Sequence, residues 1–216
     1  PIPMLSWLLR EAEGMTIGPN ILIMPLLNPI HVAEDAVTLD LLSGGRFSFG
    51  IGFGWNEDEL NHHGITKAQR RAVARERVLL MQSLWADEVA SFEGEHEHLA
   101  PSWAWPKPVQ QPRPPVLIGG GAGPILFDHV AEYADGWIPI GGAGMRAALD
   151  DLRAACDARG RDFHELSITP FGTVPDEGKL AYYESIGVTE CVLRLPSAGP
   201  DAVLPVLDRY AAFLPG

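Results

Sequence analysis

The stretch RFSFGIGFGWNEDEL, residues 46–60, combines an apolar and aromatic pattern with three glycines at alternate positions. The pattern predicts a strand over residues 46–54, and because side chains alternate along a strand, Gly50, Gly52 and Gly54 share one face. Glycine weakens a strand, since it contributes no side chain to packing. Two explanations are open for the repetition: a crowded sheet face that admits only small residues, or a surface on which a flat ligand lies close to the backbone.

The rest of the chain alternates strands with helices. Apolar segments predict five more strands, over residues 16–26, 115–121, 135–140, 166–171 and 189–195. Periodicity, caps and stop glycines predict helices over residues 1–15, 28–45, 66–85, 124–134, 145–159 and 177–186, with a last one ending near residue 214. Thr66 and Gln69 are predicted to form a capping box at the start of the third of these helices. The strands are apolar throughout, which is typical of a parallel sheet covered by helices.

Two architectures fit this alternation: a doubly wound sheet, or a TIM barrel whose first strands are absent from this chain. We expect one α/β domain over residues 1–216. The Pro-rich and aromatic segment at residues 88–114 is interpreted as an excursion between regular elements of that domain.

Composition excludes several classes of function. The chain has 216 residues and a net charge of −12, with no dense cluster of Lys or Arg, so we expect no nucleic-acid partner. Cys156 and Cys191 are far apart and predict neither a disulfide framework nor a metal site. No apolar run reaches the roughly 18 residues of a membrane span, and no signal-peptide pattern is present. We therefore expect a cytoplasmic protein without a membrane partner.

A second glycine cluster, GGGAGP, occupies residues 119–124, directly after a strand and before a helix that begins with Pro124. The amides of a Gly-rich turn and the N-terminus of a helix together bind anions, which favours a phosphate group. The cluster does not match GxGxxG and no Walker lysine follows. A tight turn without a ligand remains an open alternative.

Three stretches carry a resemblance to a known family: residues 28–55 (NPIHVAEDAVTLDLLSGGRFSFGIGFGW), 105–121 (WPKPVQQPRPPVLIGGG) and 131–139 (AEYADGWIP). Together they resemble the luciferase-like flavin/deazaflavin oxidoreductases, the bacterial luciferase superfamily of TIM barrels. The resemblance implies an α/β (β/α)8 barrel that lacks its first two strands in this chain. Residues 16–26, 46–54 and 115–121 would then be its third, fourth and fifth strands.

The same resemblance implies where a cofactor binds. A bulge with a non-prolyl cis peptide is expected at Asn20 and Ile21, where it supports one face of the isoalloxazine or deazaflavin ring. The fourth strand is expected to line the ring or the ribityl chain, and the glycine turn with the following helix to receive the phosphate. The cofactor-binding residues expected there are Gly52, Phe53, Gly54, Trp55, Gly119, Gly120 and Gly121.

The resemblance also leaves a choice between two cofactors. FMN-dependent members commonly have an arginine between the last two glycines of strand four, whereas this chain has Phe53, and residues 119–124 carry no side-chain donor. These features favour coenzyme F420, with FMN as the alternative. The expected reaction is hydride transfer between reduced F420 and a small organic substrate, without a metal. Alternatives are an FMN-dependent monooxygenase, a non-catalytic flavin-binding protein with a partial barrel, and a sugar-phosphate enzyme, which would leave the strand-four glycines unused.

The catalytic residues are unknown from sequence. His62 and His63 follow the fourth strand and could transfer a proton near neutral pH, which makes them weak candidates. An open barrel would expose strand edges that another chain normally covers, so a homodimer is expected.

Overall fold

The computed structural model describes residues 1–188 and 190–214, which fall into two compact units, Pro1–Gly119 and Gly120–Gly216. The first unit contains four helices and five strands among its described residues. In chain order they are α1 (Ile2–Glu11), β1 (Leu22–Ile23), α2 (Pro29–Ser43), β2 (Phe49–Gly52), α3 (Glu57–His62), α4 (Arg70–Ala86), β3 (Ala90–Glu93), β4 (His98–Ser102) and β5 (Val116–Gly119).

A parallel sheet of β1, β2 and β5 forms the centre of the first unit. Leu22 is in register with Ile51, and Ile51 with Ile118. The side chains of Phe49, Ile51 and Ile118 are completely buried. The apolar side chains of these strands are therefore removed from water, as in the buried parallel sheet predicted from the sequence.

The helix α2 begins and ends where its sequence predicts. The side chain of Asn28 accepts hydrogen bonds from the amides of Ile30 and His31, and Pro29 occupies the first helical position. Gly44 ends the helix in the left-handed conformation, with φ of 64°. The Thr66–Gln69 capping box predicted before α4 is also present, with each side chain bonded to the other residue's amide.

The second unit also alternates strands and helices. Its elements are α5 (Pro124–Tyr133), β6 (Gly136–Ile138), α6 (Met145–Ala158), β7 (Ser167–Ile168), β8 (Phe171–Thr173), α7 (Glu177–Ser185), β9 (Val192–Leu193) and α8 (Pro200–Tyr210). β6 pairs with β7 and β8 pairs with β9, both in parallel. The predicted last helix begins at Pro200 and contains Pro205 in its interior.

The strands are shorter than predicted, and prolines explain much of the difference. Within residues 16–26 only Leu22–Ile23 is a strand, Ile17 forms an isolated bridge to Phe47, and Met24–Leu26 is a 3-10 helix containing Pro25. Residues 166–171 divide at Pro170 into β7 and the start of β8. Proline lacks the amide that a strand ladder requires. The predicted strand at 189–195 is reduced to Val192–Leu193, and its first residue, Thr189, lies outside the described residues.

The excursion at residues 88–114 contains an antiparallel hairpin, β3 paired with β4, which the sequence interpretation did not include. The buried carboxylate of Glu76 accepts hydrogen bonds from the amides of Glu95, His96 and Glu97 in the hairpin turn. Farther along, Gln110 donates to the buried Asp40 carboxylate. The excursion is thus attached to α4 and α2 by buried polar contacts.

Among the helices of the described residues, none combines the length and the apolar character that crossing a membrane requires.

Candidate functional site

The side chain of Ile21 covers two glycines at the ends of neighbouring strands. A Cβ atom at Gly52 would lie 2.2 Å from Cδ1 of Ile21, and one at Gly119 would lie 2.8 Å from its Cγ2. Both glycines follow directly on the paired residues Ile51 and Ile118. Ile21 itself is half-buried, so it leaves apolar surface exposed above the glycines. The peptide bond between Asn20 and Ile21 is cis, as the resemblance implies.

Gly54 is required by its backbone and by its surroundings. Its φ is +77°, a conformation that residues with a side chain rarely adopt. A Cβ there would approach Cγ2 of Ile23 to 2.9 Å and Cδ2 of Leu60 to 3.4 Å. Crowding, the first of the two explanations open from the sequence, therefore accounts for Gly52 and Gly54. The binding of a cofactor by Gly52, Gly54 and Gly119 stays a prediction.

The two aromatic residues next to Gly54 have opposite surroundings. Phe53 is buried, with 8% exposure, and the guanidinium of Arg71 lies over its ring, with Cζ 5.7 Å from the centroid. Trp55 is 83% exposed. Phe53 is therefore a packed support beside the end of β2, whereas Trp55 offers its ring to solvent.

Of the two histidine candidates, His62 is the last residue of a short helix and His63 is the residue that follows it. α3 is capped by Asn56, whose side chain accepts from the amides of Asp58 and Glu59, and it ends at His62. His62 and His63 are both exposed. Their part in catalysis stays a prediction.

In the second unit, the glycine turn is held by a tryptophan. Gly120 donates its amide to the carbonyl of Ile138 and accepts the indole N–H of Trp137 at 2.9 Å. Trp137 is 2% exposed and packs edge-on against Phe127 with ring centroids 5.0 Å apart. Trp137 is therefore a core residue. Since the Gly120 amide is already bonded, it is not available to an anion in this arrangement.

The residues after Gly120 are open. Gly121 is exposed, and a Cβ atom at Gly121 or Gly123 would meet no described atom within 4 Å. Pro124 then begins α5, whose first turn has no acidic residue. The open part of the predicted anion site is therefore Gly121–Gly123 with the N-terminus of α5, while Gly120 supports it. Whether Gly120 and Gly121 bind a phosphate stays a prediction.

The described residues contain no group of three or more His, Cys, Asp or Glu side chains placed to hold a metal ion. Cys156 and Cys191 are free thiols, and burial raises the pKa of both. A raised pKa lowers the thiolate fraction, which is the reactive form. The two cysteines are therefore not activated nucleophiles.

Comparison with known proteins identifies the family. A family described as luciferase-like monooxygenase matches residues 1–175. The chain belongs to this luciferase-like family. The resemblance found in the sequence is thereby confirmed over most of the chain.

Two relatives illustrate the range of the luciferase-like family. An uncharacterised protein of Mycobacterium tuberculosis is 40% identical over 189 residues, which cover 87% of this chain and 66% of that protein. The F420-dependent glucose-6-phosphate dehydrogenase of Kineococcus radiotolerans is 32% identical over 164 residues, covering 73% of this chain and 48% of the enzyme. The chain thus spans between about half and two thirds of the length of these relatives.

Among solved structures, a monooxygenase from Streptomyces bottropensis superposes on this chain with a TM-score of 0.84. The match covers 99% of this chain and 82% of the other, at 18% sequence identity. A likeness at this identity establishes the fold. The predicted fold class, an α/β fold with parallel strands of the luciferase-like TIM-barrel type, is confirmed.

The sequence interpretation missed one residue and one contact. Arg71 was passed over, although two arginines in the first turn of a helix oppose the helix dipole and are a readable signal. The bond from Trp137 to Gly120 was also missed. It joins residues 17 apart in sequence, and no local pattern specifies such a contact.

Proposed function

We propose that this chain binds coenzyme F420 and catalyses hydride transfer between the reduced cofactor and a small organic substrate. The observation that carries the proposal is the half-exposed side chain of Ile21, placed over Gly52 and Gly119 at the ends of neighbouring strands. An aliphatic side chain packed on two glycines gives a broad apolar surface for a planar ring. The F420-dependent relative from K. radiotolerans supports the choice of cofactor.

The fit to a flat ring rests on the packing beneath Ile21. A Cβ atom at Gly52 or Gly119 would collide with the Ile21 side chain. Because both residues are glycines, Ile21 packs directly against the backbone of the two strands. Asn20 precedes it across the cis bond, and Phe53, Gly54 and Trp55 follow from the end of β2. These residues would hold one face and one edge of the ring, and they leave the opposite face to a substrate.

Bound F420 supplies hydride transfer at its deazaflavin ring, and the protein contributes binding, orientation and exclusion of water. Ile21 would fix the plane of the ring, and the buried Phe53 would keep water from the end of β2. His62 and His63 are the candidates for a proton-transferring group. Both residues are exposed, so their side chains are in contact with solvent. The reaction needs no metal ion.

For the phosphate of the cofactor, we propose Gly121 and the N-terminus of α5, with Gly119 and Gly120 as the preceding part of the turn. The exposure of Gly121 and the empty space beside it support this assignment. Gly120 would act by holding the turn through its bonds to Ile138 and Trp137.

FMN is the second candidate cofactor, because the family is described as monooxygenases. An FMN-dependent monooxygenase would use the same apolar surface for its ring. A non-catalytic flavin-binding protein would also use this surface, but it would show no turnover. The apolar Phe53 and the absence of side-chain donors in residues 119–124 favour F420 over FMN.

We also propose that the chain forms a homodimer. Met4, Trp7 and Leu8 project from one side of α1 with exposures of 60%, 61% and 38%. Such an apolar helix face is unfavourable in water, and a second copy would cover it. A sedimentation profile of a single monomeric species over the micromolar range would contradict this proposal.

The cofactor proposal is tested by titrating the protein separately with F420 and FMN while ring fluorescence is followed. We expect saturable F420 binding, weakened at least tenfold by Ile21→Ala and unchanged by the control Ile30→Ala, which removes an exposed isoleucine from α2. Tight FMN binding with none for F420 would reverse the choice of cofactor. Binding of neither would overturn the proposed function.

A further inference from the structure

The guanidinium of Arg71 is fixed beside the carboxyl end of β2. Arg71 lies in the first turn of α4, and its Cζ atom is 5.7 Å from the centroid of the Phe53 ring. Phe53 is the first residue after β2. A cation over an aromatic face is attracted by the ring, and the attraction strengthens when both groups are partly removed from water. The contact holds the guanidinium in place although Arg71 has no acidic neighbour in its own helical turn.

The charge of Arg71 is not balanced within the described part of the chain. No carboxylate of residues 1–188 or 190–214 forms an ion pair with it, and its Nε atom is buried without a hydrogen-bond partner. Burial, and after it the charge of Arg70, lower the pKa of Arg71. A guanidinium remains protonated nevertheless, because its ordinary pKa lies far above neutrality. Arg71 thus keeps a half-buried positive charge without a counter-charge among the described residues.

The position of Arg71 on its helix adds to the positive potential. The first turn of α4 contains Arg70 and Arg71 and no acidic residue. Acidic groups are favoured at this end of a helix and basic groups disfavoured, typically by about 0.3–1 kcal/mol each. Arg70 already donates from Nη1 to the carbonyl of Lys67. The Nε atom of Arg70, like that of Arg71, is buried without a hydrogen-bond partner. Among the described residues the side chain of Arg71 donates no hydrogen bond, so its two terminal Nη groups are the donors that an incoming anion can use.

We propose that Arg71, supported by Phe53, binds an oxyanion, a phosphate or carboxylate carried by the cofactor or by the substrate of the proposed oxidoreductase. The planar fork of the guanidinium matches both groups, and two parallel charge-assisted hydrogen bonds give them affinity and orientation. The bound anion would also relieve the repulsion between Arg70 and Arg71. The identity of the ligand rests on the proposed function. The existence of the anion site does not.

The first experiment uses inorganic phosphate as the probe and the full chain without cofactor. Thermal unfolding of the wild type, Arg71→Gln and Arg70→Gln is followed in phosphate and in chloride of equal ionic strength. We expect phosphate to raise the Tm of the wild type and of Arg70→Gln equally, and that of Arg71→Gln by clearly less, since only the site proposed at Gly121 remains in that variant. In chloride, Arg71→Gln should unfold at the same temperature as the wild type or higher, because an unpaired charge has been removed.

Equal phosphate responses of the wild type and Arg71→Gln would overturn the proposal. An equal loss of response in both glutamine variants would also overturn it, since the effect would then belong to the summed charge of the helix start. If Arg71→Gln does not fold, Arg71→Lys replaces it. That variant keeps the charge but loses the fork, and we expect it to retain only part of the response.

The second experiment separates the two sources of the anion. Wild type and Arg71→Gln are titrated with F420 and FMN and with their dephosphorylated counterparts, the F420 chromophore with its ribityl chain alone and riboflavin. If Arg71→Gln weakens the binding of the phosphorylated forms at least tenfold and leaves the binding of the dephosphorylated forms unchanged, the anion belongs to the cofactor. If Arg71→Gln leaves cofactor binding unchanged, and phosphate raises the Tm of the cofactor-bound wild type but not that of cofactor-bound Arg71→Gln, the anion belongs to the substrate. If the wild type binds neither cofactor, the proposed function fails, and the first experiment still decides the role of Arg71.

Discussion

Ile21 lies directly over Gly52, so close that a Cβ atom at position 52 would come within 2.2 Å of its Cδ1 atom. The isoleucine and the glycine are therefore a matched pair. Replacing Gly52 by alanine forces Ile21 away from the strands, and inserting one methyl group into a packed site typically costs about 1–3 kcal/mol. We predict that Gly52→Ala lowers the free energy of unfolding by this amount, measured by urea denaturation, and weakens cofactor binding.

A double-mutant cycle tests whether Ile21 causes this effect. In the Ile21→Ala background the nearest Ile21 atom left to the new methyl group is Cβ, at 3.9 Å, so Gly52→Ala should cost much less there. The matched control is Gly121→Ala, which meets open space at a backbone conformation that alanine can adopt. Additive losses for Ile21→Ala and Gly52→Ala would show that the two residues are not coupled.

Trp137 holds the glycine turn of the second unit through its bond to Gly120. Trp137→Phe keeps an aromatic ring against Phe127 but removes the indole N–H, so the Gly120 carbonyl loses its donor. We predict a loss of about 1–3 kcal/mol in the free energy of unfolding, the usual cost of leaving a partly buried acceptor unpaired. Trp55→Phe, at an 83% exposed position, is the control and should change stability by less than about 0.5 kcal/mol. Equal effects of the two variants would contradict the assigned role of Trp137.

The sequence was sufficient for the features that depend on local chemistry. Asn28 and Gly44 mark the ends of α2, Thr66 and Gln69 form the predicted capping box, and the apolar strands pair in parallel. Caps, stop glycines and periodicity act within a few residues, so a single sequence shows them. The resemblance to luciferase-like proteins added the cis bond before Ile21.

The sequence was insufficient where the decisive contact joins distant residues. The packing of Ile21 on Gly52 and Gly119 brings together three segments, and only the structure shows that crowding explains the glycines. The hairpin of β3 and β4 lies in a segment rich in proline, which was interpreted as irregular. Its turn is held by Glu76, whose amide partners lie about 20 residues farther along the chain. Strand lengths were overestimated because hydrophobicity alone does not show where a proline ends a ladder.

The buried carboxylate of Asp40 attaches the excursion to α2. Gln110 donates from Nε2 to Asp40 at 2.6 Å and to the carbonyl of Phe47 at 2.7 Å. Gln110→Ala removes both bonds and leaves one carboxylate oxygen of a completely buried residue without this donor. We predict a loss of about 2–3 kcal/mol in the free energy of unfolding, because hydrogen bonds to charged groups are worth more than neutral ones.

The control for this prediction is Gln111→Ala. Gln111 is exposed, and its side chain donates only to the Pro108 carbonyl among the described residues. Urea denaturation should therefore find this variant within about 0.5 kcal/mol of the wild type. If Gln110→Ala is as stable as Gln111→Ala, the Asp40 contact does not contribute to stability.

Glu76 makes the stability of the first unit depend on pH. Burial alone would raise the pKa of Glu76, but the amides of His96, Glu95 and Glu97 donate to its carboxylate, and the net pKa lies below the ordinary value of 4.5. Because the folded-state pKa is the lower one, the carboxylate stabilises the fold fully above pH 4.5, and this contribution is lost as the pH falls through the folded-state value.

We predict that Glu76→Gln lowers the free energy of unfolding by about 1.5–3 kcal/mol at neutral pH and shows a shallower decline of stability in acid. Urea denaturation across the acid range measures both effects, with Glu88→Gln, at an exposed position, as the control that should retain the wild-type profile. An acid profile of Glu76→Gln parallel to that of the wild type would mean that carboxylates other than Glu76 set the acid stability.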